Sequence, residues 1–255
     1  MQLSAGSPVV ELQQTDGAII RCVPTEGEQP TVVFCGGLKS DMTGSKALAF
    51  EEACRNVGRS YIRFDYRGHG ISDGIFQDFA IGEWLADARL VIEKLAGEKL
   101  VLVGSSMGMW VVCLLLKELH QRVAGCIGIA GAPDFTHQLM YPALTEEQCN
   151  QLMDNQVIYL ASDYDDEGYP LTQRLFSEGH KYAVLDKPIP VSCPVRLFQG
   201  MDDEPVPWQH SIKLLNALDN ANVKLTLIKG GDHSLSSPEN LKLLSQAVLS
   251  AGEEI

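Results

Sequence analysis

Three short stretches carry residues whose types and spacing could do chemistry: Gly104-Ser105-Ser106-Met107-Gly108, Gly231-Asp232-His233-Ser234 and Gly200-Met201-Asp202-Asp203-Glu204. A serine hydroxyl at its free pKa is a weak nucleophile and needs a base beside it. An imidazole can be that base, and a carboxylate behind it fixes the tautomer and stabilises the charged ring. The chemistry is attack on an acyl carbonyl. Ser106 is the middle residue of G-x-S-x-G, with Val101-Leu102-Val103 before it and Trp110-Val111-Val112 after it. A serine at such a strand-to-helix turn has its hydroxyl lifted above the end of a sheet, with a helix N-terminus behind it to favour negative charge.

The elements that must position these residues follow from hydrophobic periodicity. Short β-branched runs alternate with segments of helical period, the pattern of an α/β domain with a mostly parallel sheet and helices on both faces. Strands are predicted over 8–12, 18–23, 31–34, 61–64, 100–103, 123–129, 195–198 and 223–228, and helices over 46–57, 83–95, 107–119 and 238–249. Most of the strand runs are almost wholly apolar, as expected where helices cover both faces. The whole chain, 1–255, reads as one domain. The stretch 133–190 breaks the rhythm, with acidic and aromatic residues, two short helices near 146–153 and 171–181, and no strand signal. It is expected to form a cap over the C-terminal edge of the sheet. Its apolar side chains, Met140 and Phe176 among them, are expected to line an acyl pocket.

Composition narrows the function classes. The chain has 255 residues, 45% hydrophobic and 21% charged, with a formal net charge of −13. That excess of carboxylates argues against a nucleic-acid partner, because affinity for phosphate backbones comes mainly from Lys and Arg. Seven cysteines without a C-x-x-C pair signal neither a disulfide framework nor a zinc site. Neither a signal peptide nor an apolar run of transmembrane length is visible, so no stable membrane insertion and a reducing, cytoplasmic setting are expected, or the mitochondrial matrix if a transit segment has been removed.

Asp65-Tyr66-Arg67-Gly68-His69-Gly70-Ile71-Ser72 resembles the D-x-R-G-x-G-x-S loop of the α/β-hydrolase superfamily, and the likeness extends over the whole chain. Its G-x-G is not a nucleotide loop, since no third glycine follows at the needed spacing. A narrower likeness joins Ser40–Leu48, Arg63–Tyr66, the Ser106 motif, Ile189–Arg196 and Gly200–Trp208. Together they look like the mitochondrial palmitoyl-protein thioesterases of the α/β-hydrolase-domain group and their bacterial relatives. The resemblance implies Ser106 as nucleophile, His233 as base in the loop after the last strand, and Asp203 as acid. Asp202 then reads as a turn residue, and Asp134 as a rival position used by some hydrolases. Of the other histidines, His120 and His210 read as solvated near helix ends, and His137 and His180 as part of the cap. The backbone N–H groups of Met107 and Leu38 would form the oxyanion hole, with Gly36 and Gly37 allowing the close approach of a ligand and Gly37 itself touching substrate. Two departures fall here: Met109 stands where the family has a second glycine, and Gly36 where Pro or His is usual. The expected activity is hydrolysis of small-molecule or S-acylated protein esters and thioesters, with no metal and no organic cofactor. A C–C bond hydrolase of ring-cleavage products and a non-catalytic binding protein on the same fold are the alternatives.

Overall fold

The apolar runs at the centre of the chain become neighbouring strands, each buried on both sides. The computed structural model describes residues 8–162, 165–220 and 222–252; residues 1–7, which carried much of the reading of a leader, lie outside them. The strands of the main sheet are β1 (Val10–Gln13), β2 (Ile19–Thr25), β3 (Glu28–Cys35), β4 (Arg59–Phe64), β5 (Leu100–Ser105) and β6 (Val123–Ile129). In the middle segment β7 (Val157–Ser162) and β8 (Asp165–Thr172) form an antiparallel hairpin of their own, and β9 (Ile189–Pro190) follows. The chain continues with β10 (Val195–Gly200), β11 (Leu218–Asp219) and β12 (Val223–Ile228). The eight-stranded sheet has the order β1-β2-β4-β3-β5-β6-β10-β12, and only β2 runs against its neighbours. Parallel strands need crossover connections, and helices supply them.

Those helices are α1 (Ser45–Asn56), α2 (Ile81–Leu95) and α3 (Met107–Leu119), then α4 (Tyr141–Ala143), α5 (Glu146–Asn155) and α6 (Gln173–Lys181), and finally α7 (Trp208–Ala217) and α8 (Pro238–Ser250). Two apolar layers sandwich the sheet. On one face Ala47, Phe50 and Cys54 of α1 meet Leu244 and Val248 of α8 over Val32, Val101 and Ile127. On the other, Trp84, Leu85 and Val91 of α2 and nearly the whole of α3 cover Val33, Leu102 and Cys126. Helix α3 is apolar almost all round because it is covered almost all round.

The segment 133–190 departs from its sequence reading. Helices α5 and α6 stand where two helices were expected, but between them lies the β7–β8 hairpin, where no strand was expected. Val157-Ile158-Tyr159 is a β-branched and aromatic run; its pairing partner carries acids and Gly168, which hid the hairpin. Helix α7 lies where only a helix end near His210 was expected, with no range given for it. It begins at the Pro207 cap, and it buries His210, which was expected to be solvated. The His210 ring donates from Nε2 to the carbonyl of Pro133 at 2.7 Å, and burial pushes its pKa down, which keeps it neutral. Asp134 closes the segment on itself. From a left-handed turn its buried carboxylate accepts the N–H groups of Val184 at 2.9 Å and Leu185 at 2.8 Å.

Candidate active site

Ser106 stands between β5 and α3 with φ 55° and ψ −121°. A non-glycine residue held there is strained by about 1–3 kcal/mol and persists only where its surroundings over-determine it. The flanking glycines do so. A Cβ on Gly108 would lie 2.0 Å from the carbonyl oxygen of Cys35, and one on Gly104 would lie 2.6 Å from Cα of Met109. Strand and helix therefore touch backbone to backbone at the turn. The loop after β3 also comes close, though less tightly: a Cβ on Gly37 would lie 3.3 Å from Cβ of Ser106. The backbone of Gly37, and with it the start of Leu38, runs beside the serine. Met107 is the first residue of α3, so its N–H belongs to the open end of that helix.

The loop after β12 delivers the imidazole. His233 Nε2 is 3.0 Å from Ser106 Oγ, and Nδ1 is 2.8 Å from Asp203 Oδ2. With the proton on Nδ1 both contacts are satisfied: the ring donates to the carboxylate, and the serine hydroxyl donates to the ring. The loop is shaped from within and from behind. Asp232, itself exposed, accepts the N–H of Leu235 and the hydroxyl of Ser234. Lys46 of α1 reaches across to donate from Nζ to the carbonyl of Ser234. Burial lowers the pKa of that ammonium to about 8, and Asp232 works against the shift.

Of the three adjacent acids after β10, only Asp203 turns inward, its side chain fully buried beside a His233 that is about one-third exposed. Asp202 and Glu204 face solvent. Asp203 Oδ1 accepts the N–H of Val206 at 2.8 Å, while Oδ2 accepts from Gln199 Nε2 at 2.8 Å as well as from the imidazole. Asp134, the rival position, is spent on Val184 and Leu185. Gln199 was not among the expected site residues. Its one signal in the sequence is a polar amide directly after the apolar pair Leu197-Phe198, near the end of β10.

The remaining candidates fall as follows. Met140 ends a π-turn, Thr136–Met140, half-buried against the main core. Phe176 of α6 is buried in that core and meets the Tyr141 ring edge-on at 5.7 Å. His69 is buried in an aromatic box of Tyr66, Phe76 and Trp84, and burial pushes its pKa down to about 4. His137 stacks on His180 at 4.8 Å, in the segment expected for both. Among the described residues no group of three or more His, Cys, Asp or Glu side chains is placed to hold a metal ion, and no helix is long and apolar enough to cross a membrane.

A serine, an imidazole and a buried carboxylate in line, on a strand-turn-helix elbow beside a glycine loop, can form and hydrolyse an acyl-enzyme. The family model for serine aminopeptidase S33, a hydrolase family, matches residues 28–166. The chain belongs to this family of α/β-hydrolases. It is 36% identical over 222 residues to the mitochondrial palmitoyl-protein thioesterase ABHD10 of Bos taurus, covering 86% of this chain and 72% of that protein. Among solved structures, a hydrolase from Agrobacterium vitis superposes with a TM-score of 0.91 at 37% identity, over 96% of this chain and 98% of that one. Mouse α/β-hydrolase domain-containing protein 10 superposes with a TM-score of 0.88 at 33% identity, over the same shares of the two chains. The chain is a hydrolase, with the mostly parallel sheet and flanking helices of that fold.

Proposed function

We propose that this hydrolase is a serine esterase or thioesterase whose nucleophile, base and acid are Ser106, His233 and Asp203. Ser106 Oγ attacks the acyl carbonyl as its proton passes to His233 Nε2, and Asp203 stabilises the imidazolium. The tetrahedral oxyanion takes hydrogen bonds from the N–H groups of Met107 and Leu38. As the C–S or C–O bond breaks, His233 gives the proton to the leaving sulfur or oxygen, which departs as thiol or alcohol, and the acyl group remains on Ser106. Water, activated by the same imidazole, releases the acid and restores the hydroxyl. The observation that carries this reading is the continuous run of contacts from Ser106 Oγ through His233 to Asp203, at 3.0 and 2.8 Å. No cofactor takes part.

The substrate class is an acyl thioester or ester, either a small molecule or an S-acylated protein, and the naming of the ABHD10 relatives as palmitoyl-protein thioesterases supports the thioester. Residues 133–190 cap the site, with Met140 and Phe176 lining the acyl pocket. Seven free cysteines, six of them buried, suit a reducing compartment, cytoplasm or mitochondrial matrix. Labelling with a fluorophosphonate, followed by turnover of paired acyl thioesters and oxygen esters, tests the reading. The parent should react and Ser106→Ala should not, with turnover lost and the melting transition retained. A Ser106→Ala enzyme within tenfold of the parent would remove Ser106 as nucleophile.

A further inference from the structure

Gln199 is fully buried near the end of β10, in a strand whose other buried residues include Val195, Leu197 and Phe198. A buried amide must have its hydrogen-bonding groups satisfied or it costs stability. Gln199 does so through a specific network. Nε2 donates to Asp203 Oδ2 at 2.8 Å and to the carbonyl of Val206 at 3.0 Å, with Gly200 O further off at 3.2 Å. Oε1 accepts from the hydroxyl of Ser211, on α7, at 2.7 Å. The orientation of the amide is not a free choice. The carboxylate and both carbonyls can only accept, so the NH₂ group must face them and the oxygen must face the serine hydroxyl.

A purely structural amide would be content with the two carbonyls of the turn. Here one of the two shortest donor contacts goes instead to a carboxylate oxygen, the same one that faces His233 Nδ1. Val206 N–H holds the other oxygen. The carboxylate is thus pinned at both ends, which sets its rotation about Cβ–Cγ and aims Oδ2 at the imidazole. Asp203 sits on a loop, and loops hold a group less firmly than strands do. Gln199 is the strand's grip on it, and Ser211 is the grip of α7 on Gln199.

We propose that Gln199, backed by Ser211, is a positioning residue that holds the carboxylate of Asp203 in line with His233. The proposal rests on the reading of Asp203 as the acid. Its consequence is a defect in kcat that passes entirely through Asp203. A displacement of about 1 Å away from the chemistry can cost around a hundredfold in rate. Gln199→Leu, which keeps the bulk and removes both hydrogen-bonding groups, should therefore lower kcat about 10- to 100-fold with KM within about twofold. Asp203→Asn should lower kcat by several powers of ten on its own. In that background Gln199→Leu should cost less than about threefold more, since groups acting as a unit are strongly non-additive.

Ser211→Ala, a smaller change, should lose several-fold in kcat with the same dependence on Asp203. It carries the test should the leucine variant fail to fold. An equal loss from either change in the parent and Asp203→Asn backgrounds would mean a structural role only and would overturn the proposal. So would a kcat within twofold of the parent for both variants. An Asp203→Asn enzyme near parental activity would instead bring down the assignment of the acid. That result is read from the single variant, apart from anything Gln199 does.

Discussion

At the scale of single residues, the site depends on where side chains are missing as much as on where they are present. Gly108 and Gly37 both face the Ser106 turn, yet they do different work. A Cβ on Gly108 meets main-chain carbonyl oxygen at 2.0 Å, which neither strand nor helix can yield to. Gly108→Ala should cost well over the usual 1–3 kcal/mol of an overpacked core. At about 2–4 °C per kcal/mol for a chain of this size, the melting midpoint should fall by more than roughly 6 °C. A Cβ on Gly37 meets Cβ of Ser106 at 3.3 Å, Ser105 O at 3.5 Å and Ser40 Oγ at 3.7 Å, none of them a severe clash. Gly37→Ala should leave the midpoint within about 2 °C and lower kcat about tenfold, by shifting the serine and the loop that carries Leu38 N–H. Parallel melting curves and turnover of the two variants check the contrast, and similar profiles for both would refute it. Ser106 was legible in the sequence because its motif states its own context, apolar strand before and apolar helix after. Picking one acid from Asp202, Asp203 and Glu204 needed a family likeness, since three neighbouring carboxylates differ only in which one faces inward. The role of Gln199 was out of reach, because nothing in the pattern of the chain says that a strand residue turns its amide onto Asp203 or that Ser211 of α7 stands behind it.

At the scale of elements, strands buried on both faces and the helices between them were readable, because burial imposes one apolar pattern whatever the tertiary detail. The β7–β8 hairpin was not, since among the described residues it pairs with no other strand and β8 opens on three acids and a glycine. The same limit hid the buried state of His210, which depends on the packing of α7 against Pro133. One cross-element contact has a pH dependence of its own. The ammonium of Lys46 holds the carbonyl of Ser234, next to the His233 imidazole, and burial brings its pKa down to about 8. As pH rises through 8 the contact weakens, so kcat/KM should show an alkaline limb there, and Lys46→Met should lack it at the cost of lower activity throughout. Stability should move the opposite way. An amine whose folded pKa lies below its unfolded value, 10.5, binds fewer protons in the folded state, so this group's contribution rises between pH 8 and 10.5. An alkaline limb unchanged in Lys46→Met would place its origin elsewhere. The middle segment gives a second test. Each buried acyl CH₂ is worth about 0.8 kcal/mol, so lengthening the acyl chain by four carbons should improve kcat/KM by up to about two powers of ten until the pocket is full. Met140→Ala and Phe176→Ala should flatten that slope. An enzyme that prefers acetyl groups, with a preference untouched by both changes, would remove the segment from the acyl pocket.

At the scale of the whole molecule, net charge bears on which acyl carriers reach the serine. The chain carries −13, and part of that charge stands at the site itself: Asp202, Glu204 and Asp232 are all exposed, on the loops that deliver Asp203 and His233. A cleft lined by one sign of charge concentrates ligands of the opposite sign and repels its own, and salt screens both effects over a Debye length of about 8 Å at physiological ionic strength. Two lysines work against that charge: Lys46, whose ammonium reaches the His233 loop, and Lys39 beside the glycine loop, its ammonium engaged with the rings of Phe76 and Tyr169. If the acyl group arrives on a protein cysteine, the flanking residues of that protein should therefore matter. Three S-acylated peptides that differ only in flanking charge make the measurement. With lysine flanks, kcat/KM should be highest at low salt and fall several-fold between about 0.02 and 0.3 M salt; with glutamate flanks it should start low and rise; with serine flanks it should hardly move. The acyl pocket and the chemistry are common to all three, so the differences isolate the field. Replacing Asp202 and Glu204 together by Asn and Gln, which leaves Asp203 in place, should shrink the spread between the lysine and glutamate peptides. Identical salt responses for all three peptides would mean that the charge serves solubility alone and takes no part in choosing the acyl carrier.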